Sequence, residues 1–309
     1  MPILCVKCKN QPAETSAVEG RLKLCPKCFI EYFERRVKES VQKFHMFTHE
    51  ERVAVAVSGG KDSGALLRSL KRAFPNLDIV ALHINLGING YSEHCESKVR
   101  ELVKEECVEL NVFKLSEEGF TIDDFRKTLY KNEVCSPCGI VKRHILDRMA
   151  LEVGAKVLAT GHNLDDILST LLHTFFSGDF VQLVRLKPVL MPQHPYQTKK
   201  VKPLIKMSEF EDYQYALYTE IPIRELNCPH SIGTKSREGK KILESLSKGN
   251  PNFKYQTLSL FLKKLIPMIE DKVKQPNLMS CIRCGFPSST EVCAYCKRVE
   301  MVKRVGKRA

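Results

Sequence analysis

Residues 58–63, with the sequence SGGKDS, carry the residue types that bind phosphate groups. The two glycines let the backbone turn tightly and approach a ligand closely. Ser58, Lys61 and Ser63 add side-chain donors, and a helix beginning here would offer free N–H groups to an anion. A glycine-rich turn that binds nothing is the simpler alternative. The complete hexapeptide between a strand and a helix favours a phosphate site.

A second candidate element is GHNLDD, at residues 161–166. The paired carboxylates of Asp165 and Asp166 can hold Mg²⁺ beside phosphates or position a lysine. Aspartates in this position can also cap a helix without binding a ligand. Alone, the element would be interpreted as a cap. Together with residues 58–63, it favours a functional site.

Three cysteines, Cys135, Cys138 and Cys228, lie in the middle of the chain. Three thiolates can hold three irons of a 4Fe-4S cluster and leave the fourth iron open. A third zinc site with His230 as fourth ligand, a redox or persulfide pair, and inert thiols are the alternatives. Spacing alone does not choose among them.

The two ends of the chain each carry four cysteines in CxxC pairs. The N-terminal set is Cys5, Cys8, Cys25 and Cys28, and the C-terminal set is Cys281, Cys284, Cys293 and Cys296. Such spacing is typical of closed, structural four-thiolate zinc sites. The sequence therefore predicts two Zn²⁺ ions without a catalytic role.

The charge of the chain suits a protein that handles a polyanion. The chain has 309 residues, 13 cysteines and a formal net charge of +13, which favours nucleic acid as partner, although a generally basic protein is the simpler interpretation. The absence of a long apolar run and of a signal peptide predicts no membrane span and a reducing cytoplasm. Cys95 and Cys107 lack CxxC spacing, and we expect both to be buried, inert thiols.

The elements that must position these residues alternate between strand and helix. Short apolar runs predict strands at residues 52–57, 78–86, 112–115 and 156–160. Helical spacing predicts helices at residues 31–47, 63–74, 94–110, 137–153 and 164–176. Alternation of this kind predicts an α/β fold with a parallel, Rossmann-like sheet, whose ligands bind beyond the carboxyl ends of the strands.

Three blocks of the sequence predict three domains. Residues 1–30 form an N-terminal zinc-binding module, residues 31–275 an ATP-binding catalytic domain, and residues 278–309 a C-terminal zinc ribbon. The cysteine pairs mark the two outer blocks, and the alternating pattern marks the central one.

Taken together, these segments identify a family. SGGKDS resembles the PP-loop signature of the adenine-nucleotide α-hydrolases, which bind ATP and release pyrophosphate. Over nearly its whole length the chain resembles the tRNA 2-thiouridine synthetases of the TtuA group and their wobble-uridine relatives. The segments that carry this resemblance are the N-terminal cysteine cluster, SGGKDS, LHINLGI, CSPCGIVKRH, ATGHNLDD, NCPHSIGTKS and CIRCG…CAYC.

The resemblance implies a site and a reaction. ATP, accompanied by Mg²⁺, would activate the C2 oxygen of a tRNA uridine, and sulfur would replace that oxygen. Lys142 and Asp166 match positions regarded as catalytic. Cys135, Cys138 and Cys228 would hold an oxygen-sensitive 4Fe-4S cluster with one open iron. The ATP contacts would come from Ala56, Val57, Ser58, Gly59, Gly60, Lys61, Asp62, Ser63, Ile84, Lys142 and Gly161.

The resemblance also implies partners and leaves alternatives. A ubiquitin-like sulfur carrier or another sulfide donor would supply sulfur, and the chain would form a homodimer. Lys142 within CGIVKRH is more similar to the enzymes that act on T-loop uridine 54 than to those acting on wobble uridine 34. The wobble uridine and tRNA 2-thiocytidine synthesis are alternatives of the same chemistry. A zinc-ribbon nucleic-acid binder without catalysis is the alternative of another class.

Overall fold

The N-terminal cysteine module is a small hairpin followed by a long helix. The computed structural model describes residues 3–18, 20–231 and 235–306. Strands β1 (Thr15–Ala17) and β2 (Leu22–Leu24) pair antiparallel, and helix α1 (Pro26–Lys43) follows directly. Pro26 suits the first helical position, because the N–H that it lacks would have no partner there.

A mostly parallel sheet forms the centre of the molecule. Its strands, in chain order, are β3 (Val53–Ala56), β4 (Ile79–Asn85), β5 (Glu109–Lys114), β6 (Val157–Ala159), β7 (Val189–Leu190) and β8 (Lys199–Val201). Their order across the sheet is β5–β4–β3–β6–β8–β7, and only the β7–β8 pair is antiparallel. The predicted parallel α/β sheet is therefore confirmed, with one short antiparallel strand at its edge.

Helices cover both faces of this sheet. Helices α2 (Lys61–Ala73), α3 (Ser92–Glu105) and α7 (Glu209–Tyr218) pack on one face, and α4 (Cys135–Glu152) packs on the other. Five further helices pack with one another in a separate apolar cluster: α5 (Leu164–Phe176), α6 (Phe180–Val184), α8 (Lys235–Ser247), α9 (Phe253–Leu260) and α10 (Ile266–Ile269). Alternate residues of a strand face opposite sides. Val53 and Val55 of β3 pack with α1, α2 and α7, whereas Ala54 packs with α4. Along the described stretches, no helix has the length and apolar character needed to cross a membrane.

The C-terminal cysteine module is a two-stranded ribbon and a helix. Strands β9 (Met279–Ser280) and β10 (Pro287–Ser288) pair antiparallel, and helix α11 (Ala294–Gly306) follows. Tyr295 of α11 stacks on His144 of α4, with ring centroids 3.9 Å apart. The ribbon is thus packed directly on the sheet domain.

The bounds of some elements differ from the sequence prediction. Helix α5 has the predicted bounds, and its N-terminus carries a capping box from Asn163 and Asp166. Strand β5 begins at Glu109, three residues before its predicted start. Helix α1 begins at Pro26 instead of residue 31 and carries Cys28, so one continuous helix crosses the predicted domain boundary.

Candidate active site

The glycine-rich segment forms a tight turn between β3 and α2. Gly60 is the N-cap of α2. The Ser63 hydroxyl accepts a hydrogen bond from the Ser58 N–H at 3.0 Å and donates one to the Gly60 carbonyl at 3.0 Å. These bonds fix the loop in a cradle at the helix N-terminus, where backbone N–H groups attract anions.

Two glycines of the site are required by close packing. Gly59 has φ +76°, and a Cβ there would lie 2.8 Å from the Cys95 carbonyl oxygen. A Cβ on Gly161 would lie 3.1 Å from backbone atoms of Asp62 and Ser63. The loop after β6 therefore touches the phosphate loop directly, and a larger residue would separate them.

Neighbouring strands bring the remaining ATP-site candidates to the same edge. Leu82 of β4 pairs with Ala56, and its carbonyl accepts a hydrogen bond from the Val57 N–H at 2.8 Å. Ile84 lies two residues further along β4 and is half-buried. These candidates thus surround the carboxyl end of β3, where ligands of parallel sheets bind.

Lys61 belongs to a chain of alternating charges. Its Nζ lies 3.0 Å from Asp62 Oδ1 and 2.8 Å from Glu209 Oε1. Lys240 then bridges Glu209 and Asp166, at 2.8 Å from each carboxylate. The two lysines, with burial opposing them, lower the pKa of Glu209 to about 2, so Glu209 stays charged.

Sequence reasoning missed Glu209 and Lys240, which link the phosphate loop to Asp166. Ser208 and Glu211 form a capping box, and this local signal places Glu209 in the first turn of α7. No local signal ties Glu209 to Lys61, which lies 148 residues earlier in the chain.

The paired aspartates of the second element have different surroundings. Asp165 is buried, accepts the Glu209 N–H at 2.7 Å and pairs with Lys254 at 2.8 Å. Asp166 lines the cleft, and its second oxygen accepts the Asn163 N–H at 3.3 Å. Both interpretations of the motif are therefore present, since Asp166 caps α5 and also faces the site.

A third carboxyl group lies behind the phosphate loop. Asp212 is completely buried, and its Oδ2 accepts a hydrogen bond from Asn163 at 2.9 Å. Its Oδ1 has no hydrogen-bond partner among the described residues. Burial, followed by the negative charge of Asp62, raises the pKa of Asp212 well above its usual value.

These elements surround a cleft of about 1550 Å³. That volume exceeds the usual range for one small ligand and leaves room for a second. Nine predicted residues line it: Ala56, Ser58, Gly60, Lys61, Asp62, Ser63, Lys142, Gly161 and Asp166. Val57 and Gly59 are buried behind them, and Ile84 lies at the strand end.

The cleft is rich in cationic side chains. They are Lys61, Lys142, Arg143, Arg185, Lys187, Lys200, Lys202 and Arg224. Burial, with the charges of Lys200 and Lys187, lowers the pKa of Lys202 to about 7. The Arg224 guanidinium lies against Gly60, where a Cβ would collide with it. The excess of cations suits a phosphate-bearing ligand.

The three central cysteines lie close to this cleft. Cys135 opens α4, and its thiol donates a hydrogen bond to the His230 carbonyl at 3.0 Å. Gly139 and Asn227, which adjoin Cys138 and Cys228 in the chain, line the cleft. The residues that the resemblance selected are thus brought together across 90 residues of sequence.

The geometry of these thiols differs from that of a single-ion site. In each terminal set, all four sulfur atoms lie within 4.8 Å of one another, whereas the sulfur atoms of the three central cysteines do not. His230, whose Nε2 is bonded to Asp123 Oδ1 at 2.6 Å, does not lie with the three thiols in such a compact group either. Among the described residues the three thiols therefore do not form the compact four-ligand group that a closed zinc site requires.

The terminal sets both fit one tetrahedral metal ion. A Zn–S bond of about 2.3 Å implies sulfur–sulfur distances of about 3.8 Å. Cys8 and Cys25 lie 3.9 Å apart, Cys281 and Cys296 3.9 Å, and Cys284 and Cys293 3.6 Å. The two predicted four-cysteine groups therefore assemble as expected.

In each terminal set the first cysteine has a lowered pKa, which favours its thiolate form. Burial opposes ionisation of Cys5, but neighbouring backbone N–H groups lower its pKa to about 6. The pKa of Cys281 falls to about 6 for the same reasons. A thiolate held by backbone donors suits a metal ligand.

The two remaining cysteines differ from each other. Cys95 is buried, as predicted. Cys107 is exposed, so the prediction for it was wrong. Helix α3 ends at Glu105, and Cys107 follows in a turn with φ +50°.

Comparison with known proteins gives consistent relatives. A family model of the PP-loop domain matches residues 30–225. The tRNA-5-methyluridine(54) 2-sulfurtransferase of Pyrococcus horikoshii is 35% identical over 97% of this chain and 96% of its own length. The enzyme of the same name from Thermotoga maritima is 34% identical over 98% of both chains.

A solved structure is similar over almost the entire fold. It is the U34-tRNA thiolase NcsA from Methanococcus maripaludis with its [4Fe-4S] cluster, which is 28% identical with a TM-score of 0.78. The alignment covers 96% of each chain. Sequence relatives and fold agree, and the chain belongs to the PP-loop family of tRNA 2-sulfurtransferases.

Proposed function

We propose that this protein uses ATP to replace the C2 oxygen of T-loop uridine 54 in tRNA with sulfur. The observation that carries the proposal is one basic cleft lined by the phosphate loop, by Asp166 and by Gly139 and Asn227, the chain neighbours of Cys138 and Cys228. The relatives named for uridine 54 support this position over uridine 34.

The reaction has two balanced steps. The uridine O2 attacks the α-phosphate of ATP, forming an O2–phosphorus bond and releasing pyrophosphate. A sulfide then adds at C2, and the C–O bond breaks to release AMP. Oxygen is a poor leaving group from the base, whereas AMP is a good one, so the first step makes the second feasible.

The phosphate loop binds the nucleotide in this scheme. Backbone N–H groups at the start of α2 face the phosphates, and Ser58 and Ser63 shape the loop. Lys61 pairs with Asp62 and Glu209 and can turn to the phosphates when ATP arrives. The Arg224 guanidinium lies against Gly60 of the loop.

Lys142 and Asp166 are placed to assist the chemistry. Lys142 is exposed to the cleft and one turn of α4 from Cys138. Its charge can neutralise phosphate as negative charge develops, which is the main demand of phosphoryl transfer. Asp166 is held by Lys240 and faces the same space, where it can orient a Mg²⁺ ion or the attacking base.

Cys135, Cys138 and Cys228 would hold the 4Fe-4S cluster, an assignment supported by the family resemblance and by the [4Fe-4S] cluster of the similar NcsA structure. A bound cluster with an open iron supplies a site that keeps sulfide deprotonated. Burial raises the pKa values of Cys135 and Cys138, so both are thiols until a metal binds.

The remaining parts of the proposal concern the zinc modules, the partners, the location of the protein and the entry of the target base. The two four-cysteine modules would hold structural Zn²⁺. A ubiquitin-like sulfur carrier, a homodimer and a cytoplasmic location are supported by the family resemblance, and each stays a prediction. The target base would leave its stack to enter the cleft, which has volume beyond that of one small ligand.

The test is a single-turnover assay under anaerobic conditions. Metal-loaded protein is mixed with unmodified tRNA, ATP and sulfide, and the digested tRNA is mapped by mass spectrometry. We expect one sulfur at uridine 54, with AMP and pyrophosphate formed in equal amounts. A tRNA with cytidine at position 54 should gain none. Thiolation at uridine 34, or thiolation without ATP cleavage, would contradict the proposal.

A further inference from the structure

A ladder of four aromatic rings connects the C-terminal ribbon to the rim of the cleft. Tyr295 stacks on His144 at 3.9 Å, and His144 contacts Phe286 at 4.4 Å. Phe286 stacks on Tyr196 at 5.4 Å with an interplanar angle of 28°. Tyr196 ends the ladder and is 50% exposed.

The exposed ring is held in place before any ligand binds. Tyr196 lies in the connection between β7 and β8, and its N–H donates to His194 Nδ1 at 3.2 Å. His194 Nε2 contacts the Ser280 hydroxyl on the ribbon at 3.0 Å. One face of the Tyr196 ring is covered by Phe286, so its remaining exposure is available to a flat partner.

The surroundings of the ladder are cationic. Phe286 and its neighbour Pro287 line the same cleft as Lys187, Lys200 and Arg143. Burial lowers the pKa of His144 to about 4, so the inner ladder carries no charge at neutral pH. An aromatic ring at the rim of a basic cleft is how proteins bind unstacked nucleotides.

We propose that the exposed face of Tyr196 stacks a base of the tRNA next to the target uridine. The inference rests on the proposed function and adds a nucleotide subsite outside the ATP site. The ribbon then has a binding role, because Phe286 supports the ring on which the base rests.

The chain contains no tryptophan, which makes the subsite directly observable. In a Tyr196→Trp variant, fluorescence reports on position 196 alone. Titration with unmodified tRNA should quench this emission with saturation, because a stacked base quenches indole. Tyr213, 46% exposed on α7, gives the matched control, and its Tyr213→Trp variant should show no quenching.

Substitution separates stacking from other contacts. Tyr196→Ala should weaken tRNA binding by about 5- to 150-fold, the range that stacking of one base supplies. The loss should appear in KM, with kcat at saturating tRNA unchanged, since the ring does not touch the reacting atoms. Tyr196→Phe keeps the ring and should bind as wild type. Zinc content and Tm of both variants should equal those of wild type.

The outcomes distinguish this subsite from the proposed function. If wild type thiolates tRNA while Tyr196→Ala binds it equally well, the subsite is wrong and the proposed function stands. Equal losses in the Ala and Phe variants would also refute stacking. Quenching of the Tyr196→Trp emission by a sulfur carrier protein, and not by tRNA, would assign this face to a protein partner and overturn the inference. Failure of wild type to bind or thiolate any tRNA would remove both proposals.

Discussion

Replacing Asp212 with asparagine should stabilise the protein. Asp212 is completely buried behind the phosphate loop; within the described part of the chain its Oδ2 accepts from the Asn163 amide at 2.9 Å, whereas its Oδ1 has no hydrogen-bond partner. An asparagine has the same shape, carries no charge, and offers an N–H₂ group in place of the unpaired Oδ1. The negative charge of the neighbouring Asp62 also acts on Asp212. The substitution therefore removes a buried charge, its repulsion by Asp62, and the unsatisfied acceptor at Oδ1.

The effect should depend on pH with a defined sign. The pKa of Asp212 is raised in the folded protein by burial and by Asp62, so the folded state binds the proton more tightly than the unfolded state. This protonation stabilises the wild type fully below the unfolded pKa of about 3.9. The contribution is lost as pH rises through the folded pKa. The advantage of the Asp212→Asn variant should therefore increase from pH 5 to pH 8.

The expected gain in the free energy of unfolding equals the cost of an unsatisfied buried acceptor, about 1–3 kcal/mol. An unfolding entropy of about 2.1 cal/mol/K per residue over 309 residues gives about 0.65 kcal/mol/K. Dividing the two predicts a Tm increase of about 2–5 °C at neutral pH. Scanning calorimetry of anaerobic, metal-loaded protein at several pH values measures it.

Asp147 provides a matched control. It is also a buried carboxylate, but it accepts from the Thr198 N–H at 3.1 Å, the Thr198 hydroxyl at 2.6 Å and Lys200 at 2.7 Å. Its Asp147→Asn variant should lower Tm, because an amide N–H₂ would face a donor. A pH-independent Tm difference for Asp212→Asn, or a loss of stability above pH 7, would refute the reasoning.

Three further substitutions test the metal and nucleotide sites. Lys61→Ala should weaken ATP binding by about 10- to 150-fold and abolish thiolation, whereas Lys71→Ala at the far end of α2 should change neither; calorimetric titration decides. Cys281→Ser should release about one zinc per chain and lower Tm, and retention of both ions by elemental analysis would contradict the structural site. The Cys228→Ala variant should lack the brown colour and the roughly four irons of an iron–sulfur cluster, and it should not thiolate tRNA, while ATP binding persists. The exposed Cys107→Ala is the control, and full activity without iron would favour a persulfide route.

Local sequence determined the parts of the site whose chemistry is local. Residues 58–63 predicted a phosphate loop because a strand, two glycines and a helix start are all encoded within six positions. The CxxC pairs predicted both terminal four-cysteine groups, because the ligands of a structural zinc site often lie at short, regular spacings along the chain. Alternating apolar runs predicted the parallel sheet, because each strand must be buried on both faces.

Tertiary structure decided what joins these parts. The Lys61–Glu209–Lys240 link connects residues that lie far apart in the chain and whose individual surroundings carry no signal of contact. The same holds for Tyr196 on Phe286, a contact between a strand connection and the ribbon. Side-chain charges and rings can be assigned from sequence, but their partners depend on how β-strand order and helix packing fold distant segments together. The phosphate loop and the CxxC pairs can therefore be predicted from the sequence, because their residues are close together in the chain. The charge network and the aromatic ladder form only when folding brings distant residues into contact.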